Sequence, residues 1–165
     1  MLVLLQQLRR ARSAAALDRR GAVGSCALRH VDCGSCNACE HELTATLGPA
    51  YDLQRFGFDL VASPRHADVL LVTGPVTTRM VEPLRAAHSA MPLPRLVAAI
   101  GDCPLGSGTG SLGHPDEIAG PLEDLLDVSI RIPGCPPTPA EIAAALADGI
   151  RDARGERAAR PPRPR

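Results

Sequence analysis

The residues of this chain whose type and spacing invite chemistry are six cysteines: Cys26, Cys33, Cys36, Cys39, Cys103 and Cys135. A thiolate is a soft anionic ligand, and four of them suit either tetrahedral zinc or an iron–sulfur cluster. Cys36 and Cys39 form a CxxC pair, whereas Cys103 and Cys135 stand alone, each followed by a proline. Structural zinc is usually held by two closely spaced pairs. One pair joined by two isolated cysteines therefore tilts toward a cluster. Gly34, Gly101 and Gly134 beside these positions permit tight turns, and free amides in such turns can donate hydrogen bonds to sulfur. Pro104 and Pro136 stiffen the same turns. A lone cysteine is as often a small buried hydrophobe as a ligand, so the weight rests on the set. Two other readings stay open here: a structural zinc module, and a thiol redox sensor on Cys33 or Cys26, which needs a lowered thiol pKa and exposure.

The elements that must position these thiols read as alternating strands and helices. ALRHV is a short strand candidate, followed by the cysteine-rich loop and then by CEHELTATLG, a helix ending near Gly48. FGFDLVAS, ADVLLVTG, RLVAAIGD and DVSIRIPG are further strand candidates, the last three apolar enough for strands buried on both faces. TTRMVEPLRAAHSA and TPAEIAAALADGIRDA read as helices, the second with a Thr138 cap, Pro139 in its first turn and Glu141 three residues after the cap. The alternation predicts a single α/β domain of flavodoxin-like kind, a mostly parallel sheet flanked by helices. SPRHAD joins two strand candidates too briefly for a crossover helix, so one of them is expected at an edge, antiparallel or merely extended. All the cysteines but Cys26 directly follow a strand candidate. In a parallel sheet such loops emerge together at the carboxyl edge, where residues distant in sequence meet.

The expected organisation is an amphipathic N-terminal extension over residues 1–26, the metal-binding α/β domain over 27–153 and a disordered Pro/Arg-rich tail over 154–165. The 165 residues, 45% hydrophobic, fit one domain with a real core. Eighteen basic residues, all arginine, balance eighteen acidic ones, and aromatic residues make up only 2%. That balance argues against nucleic acid as a partner. The arginines near the N-terminus follow the apolar run instead of preceding it, so no secretory signal is read, and no stretch approaches the ~20 apolar residues that span a bilayer. A soluble cytoplasmic chain is expected. Thiols stay reduced in that compartment, which favours metal or redox chemistry over disulfides.

The stretches VDCGSCNACEHELTATLGPAYDLQRFG, SPRHADVLLVTGPVT, IGDC and DVSIRIPGCPPTPAEI resemble the small iron–sulfur subunit shared by formate hydrogenlyase-type membrane-bound nickel–iron hydrogenases and respiratory complex I (its 20 kDa, or B, subunit). The resemblance covers about residues 29–150. It implies one four-iron four-sulfur cluster, the proximal one of the electron chain, with Cys36, Cys39, Cys103 and Cys135 as ligands and Cys33 and Cys26 outside the set. Complex I proper has two adjacent cysteines where this chain has Ala38 and Cys39, so the resemblance favours the hydrogenase-type branch. It further implies a large catalytic partner subunit with a nickel–iron centre or a quinone pocket. More iron–sulfur and membrane subunits would be reached indirectly, and the chain would lie peripherally on the inner face of the cell membrane. The stretch PLGSGTGSLGHPDE lacks the aromatic residues usual there, and no cysteine-rich segment follows Cys135.

Among the remaining residues, the resemblance makes Glu42 the candidate proton relay, although carboxylates such as Glu40 and Glu42 are favoured at a helix start for structural reasons alone. Asp32 reads as a cap of the cysteine loop. Arg65 resembles an arginine near the cluster of relatives, against the commoner fate of a solvated side chain. The five histidines lack mutual metal-ligand spacing, and GSGTGSLG lacks the Lys-Ser or Lys-Thr of a phosphate loop.

Overall fold

A computed structural model describes residues 23–108 and 117–155. The expected N-terminal helix and most of the expected tail lie outside these residues, as does much of the glycine run after Cys103. Five strands form one sheet: β1 (Cys26–Asp32), β2 (Phe58–Leu60), β3 (Val69–Thr73), β5 (Leu96–Ile100) and β7 (Ile130–Ile132). Their order is β2-β1-β3-β5-β7 and every pairing is parallel. A short antiparallel ribbon joins β4 (Val76–Thr77) to β6 (Ile118–Gly120). Without that ribbon the order is the flavodoxin-like one, as the sequence predicts.

The central strands separate two cores by their alternation. Val69, Leu71, Ala98 and Ile100 face one cluster, together with Leu43 of α1 (Ala38–Thr46) and Ile142, Leu146 and Ile150 of α3 (Pro139–Ala153). Leu70, Val72, Val97 and Ala99 face the other, with Leu84 of α2 (Val81–Ala90) and Leu122. Helix α3 starts where the sequence says it should: the Thr138 hydroxyl accepts from the Glu141 amide at 3.4 Å, and the Thr138 amide donates to the Glu141 carboxylate at 2.8 Å. Ile142, Leu146 and Ile150 recur at helical spacing, and each contributes roughly 1.5–3 kcal/mol of hydrophobic stabilisation.

Two expectations need correction. The strand before SPRHAD is an edge strand but a parallel one, because the register removes the need for a crossover helix. Leu60, the last residue of β2, and Val69, the first of β3, both stand level with Leu28 of β1. The connection thus steps past β1 without returning along it, through a single 3-10 turn, Pro64–His66. Strand β7, expected to be buried on both faces, is buried on one. Arg131 is exposed and meets Glu123 at 2.9 Å, as the sheet's last strand permits.

Candidate metal centre

The loops after β1, β5 and β7 all leave the carboxyl edge of the sheet, and they carry Cys36 and Cys39, Cys103, and Cys135 respectively. The first loop is folded by its own side chains. The Asp32 carboxylate accepts from the amides of Gly34 and Ser35 at 2.9 and 2.8 Å, the capping role read from sequence. These bonds outweigh the effect of burial, which alone would raise the Asp32 pKa, and hold its carboxyl below the ordinary value. Ser35 Oγ accepts from the Asn37 amide at 3.1 Å, and Asn37, in the left-handed conformation at φ +71°, begins α1. Cys39 falls in the first turn of that helix, and Cys135 lies just before the Thr138 cap of α3. Both helix N-termini favour negative charge.

The second and third loops are laced to each other. The Asp102 amide donates to the Gly134 carbonyl at 2.9 Å, and the Gly134 amide donates to the Asp102 carboxylate at 2.7 Å. Asp102 thereby ties the loop of Cys103 to the loop of Cys135, a part that sequence reading missed. An Asp directly before a candidate ligand, beside the glycine of another ligand loop, was the available signal. Gly101, at φ +95°, supplies the room: a Cβ there would lie 2.7 Å from Cys39 Sγ.

Cys39 is the buried member, Cys103 is half-buried, and Cys36 and Cys135 are exposed. Burial pushes the Cys39 thiol up to about 12, with Glu40 and then the thiols of Cys103, Cys36 and Cys135 adding to the rise. Thiols from all three loops therefore lie within electrostatic reach of Cys39. Burial thus disfavours the thiolate of Cys39, whereas a bound metal cation inverts that preference and deprotonates a coordinating thiol. The donor set, the opening at Gly101 and the two helix N-termini fit a cationic thiolate-ligated group.

Among the described residues, no three His, Cys, Asp or Glu side chains are disposed to hold a single metal ion. A cavity of about 170 Å³ adjoins Cys103, walled by Pro75, Ile118 and Pro121.

The remaining cysteines are elsewhere. Cys26 begins β1 and Cys33 packs in the core shared with α2, both fully buried. Burial raises the Cys26 thiol to about 11 and the Cys33 thiol to about 12. The redox-sensor reading fails on both counts, since these thiols are neither exposed nor activated. Glu42 is partly buried on α1, and its side chain makes no hydrogen bond or ion pair among the described residues. Glu40 instead is the engaged carboxylate. It accepts from Ser35 Oγ at 2.7 Å and from the Thr73 hydroxyl, and His30 Nε2 lies 3.6 Å away. Arg65 is exposed on the β2–β3 connection, whose ends bond to Ala27 and Leu28 in the amino-terminal half of β1.

The chain is a flavodoxin-like α/β protein whose cysteine-bearing loops share the carboxyl edge of the sheet, and comparison with known proteins narrows that class. Residues 36–148 match the family described as NADH ubiquinone oxidoreductase, 20 Kd subunit. A probable membrane-bound hydrogenase subunit of Pyrococcus furiosus, mbhJ, is 47% identical over 114 residues, covering 68% of this chain and 66% of that one. Subunit 7 of the formate hydrogenlyase of Escherichia coli is 46% identical over 110 residues, covering 67% and 42%. In three dimensions the chain resembles a structure of the membrane-bound sulfane sulfur reductase, an archaeal respiratory membrane complex, with a TM-score of 0.63, 27% identity and coverage of 86% and 74%. The chain thus spans about two thirds of the first relative's length and less than half of the second's.

The chain belongs to the NADH ubiquinone oxidoreductase 20 Kd subunit family, an oxidoreductase subunit of the kind found in hydrogenase and complex I-like assemblies. No helix among the described residues is long and apolar enough to cross a membrane.

Proposed function

We propose that the chain is an electron-transfer subunit of a membrane-associated hydrogenase-like complex, carrying one four-iron four-sulfur cluster on Cys36, Cys39, Cys103 and Cys135. The observation that carries this reading is the convergence of three loops at one sheet edge, with three further thiols acting on the buried Cys39. When bound, such a cluster supplies reversible one-electron transfer. The residues of the chain hold and tune the site: Asp32 shapes the first ligand loop, Asp102 fixes the other two, and α1 and α3 present their N-termini to the anionic sulfurs. Exposure of Cys36 and Cys135 leaves one side open for a large catalytic subunit, through which the chain would sit on the inner face of the cell membrane.

The hydrogenase branch is supported by the 47% identity to a membrane-bound hydrogenase subunit and by Ala38 in front of Cys39. A second reading, delivery of electrons to a quinone in a complex I-type assembly, is supported by the description of the family itself. Anaerobic purification of the chain with its partner tests the common core. About four irons per chain and no stoichiometric zinc are expected, and stoichiometric zinc without iron would leave a structural zinc module. Glu42, one helical turn past Cys39, is proposed as a proton relay toward the partner. Glu42→Gln should keep the iron and the assembly but slow turnover, and wild-type turnover would leave Glu42 a helix-start carboxylate.

A further inference from the structure

We infer that Glu40 is a positioning residue: bridged to Ser35 on one side and Thr73 on the other, it ties the Cys36–Cys39 turn to the carboxyl end of β3 and sets a carboxylate beside the thiols. The inference deepens the proposed site and rests on it for its electronic consequence. Its geometric part stands on hydrogen bonds that all run toward Glu40.

Each hydroxyl has one proton to give. Thr73 gives its proton to Glu40 Oε1, so it must accept from His30 Nε2, 2.9 Å away, and that nitrogen carries the hydrogen. Ser35 gives its proton to Glu40 Oε2 and accepts from the Asn37 amide. Two chains of donors, one from β1 through β3 and one from the cysteine turn, therefore end on the two oxygens of a single carboxylate. An ionised carboxylate is acceptor-only at both oxygens, which no neutral side chain of this size matches. Gln at this position has one acceptor oxygen, so one hydroxyl would have to turn away. Asp keeps the charge but falls one methylene short of spanning Ser35 and Thr73.

The latch holds the only two ligands that share a loop. Ser35 immediately precedes Cys36 and Glu40 immediately follows Cys39, so both ends of the ligand pair are fastened to one point on β3. A carboxylate on the residue after Cys39 also adds negative charge near that thiol, which disfavours the more negative, reduced state of whatever it binds.

The test uses the chain assembled with its partner and loaded anaerobically, with two readouts: the rate at which a chelator removes the bound metal, and the reduction potential. Glu40→Gln should release metal roughly tenfold faster or more, the scale of a lost charge-assisted hydrogen bond, and should raise the potential. Glu40→Asp should keep a potential near wild type while releasing metal faster, which separates charge from position. Thr73→Val, which removes one leg of the latch from the strand side, should also speed release. Wild-type release and potential in Glu40→Gln would overturn the inference. If that variant fails to assemble, wild-type release in Thr73→Val would overturn it instead. If the wild-type complex holds zinc and no iron, the cluster reading fails, and zinc release in the same variants still decides the latch.

Discussion

Cys33 and Cys39 leave β1 on the same loop and finish on opposite faces of the sheet. Cys33 turns into the core packed by α2, its carbonyl accepting from both the amide and the hydroxyl of Thr77. Cys39 turns the other way, into the first turn of α1, where Gly101 leaves room for its sulfur and thiols from two other loops act on it. Residue type and spacing nominate a candidate ligand, while the face of the sheet that its side chain reaches separates Cys39 from the sealed Cys33. A cysteine one step too early in the loop becomes a small apolar side chain sealed by the β4 strand.

Filling the space over Cys39 should have the largest effect on this contrast. Gly101→Ala puts a Cβ 2.7 Å from Cys39 Sγ at a φ of +95°, adding on the order of 1–2 kcal/mol of backbone strain and displacing the Cys39 thiol. Metal content of the purified complex should collapse, and full occupancy in that variant would mean that Gly101 does not frame the site. On the other side, Cys33→Ser buries a hydroxyl among apolar neighbours at a cost of ~1–3 kcal/mol. Chemical denaturation should report that loss while the metal content of the complex stays near wild type. A smaller effect, ~1 kcal/mol, is expected from Thr138→Ala, which removes the cap of the helix that follows Cys135. Its denaturation midpoint should fall with no change in the bound metal.

The smallest effect concerns pH. Burial holds the His30 imidazole below its ordinary value of 6.5, against the opposing pull of Glu40 and Asp32. The folded chain therefore binds this proton more weakly than the unfolded chain. The stability tied to neutral His30 is complete above that ordinary value and is lost as pH falls through the lowered folded one. Denaturation of the chain from about pH 7 to about pH 5 should show stability declining, and less steeply in His30→Gln. Equal slopes in the two proteins would remove His30 from the account.

Much of this was legible in the sequence, for identifiable reasons. The uninterrupted apolar runs of β3 and β5 and the Thr138-Pro139-Glu141 start of α3 carry their structure locally, so periodicity and capping rules find them. The alignment of Leu60 and Val69 on Leu28 is a matter of register between strands, which no local pattern encodes. The β4–β6 ribbon escaped because Val76–Thr77 pairs with a segment far along the chain. Within the site, the family resemblance pointed to Glu42, but one of the two hydroxyls that engage Glu40 arrives from β3, and the clamp on Gly134 arrives from Asp102 in another loop. Contacts between loops are products of the sheet, invisible until it is assembled.

A single cluster on Cys36, Cys39, Cys103 and Cys135 would show itself in the paramagnetic signal of the reduced complex, measured in two variants. Cys135→Ser should abolish or transform that signal, and Cys33→Ser should preserve it. Equal loss in both, or retention in Cys135→Ser, would contradict the ligand set and the division of the cysteine loop on which it rests.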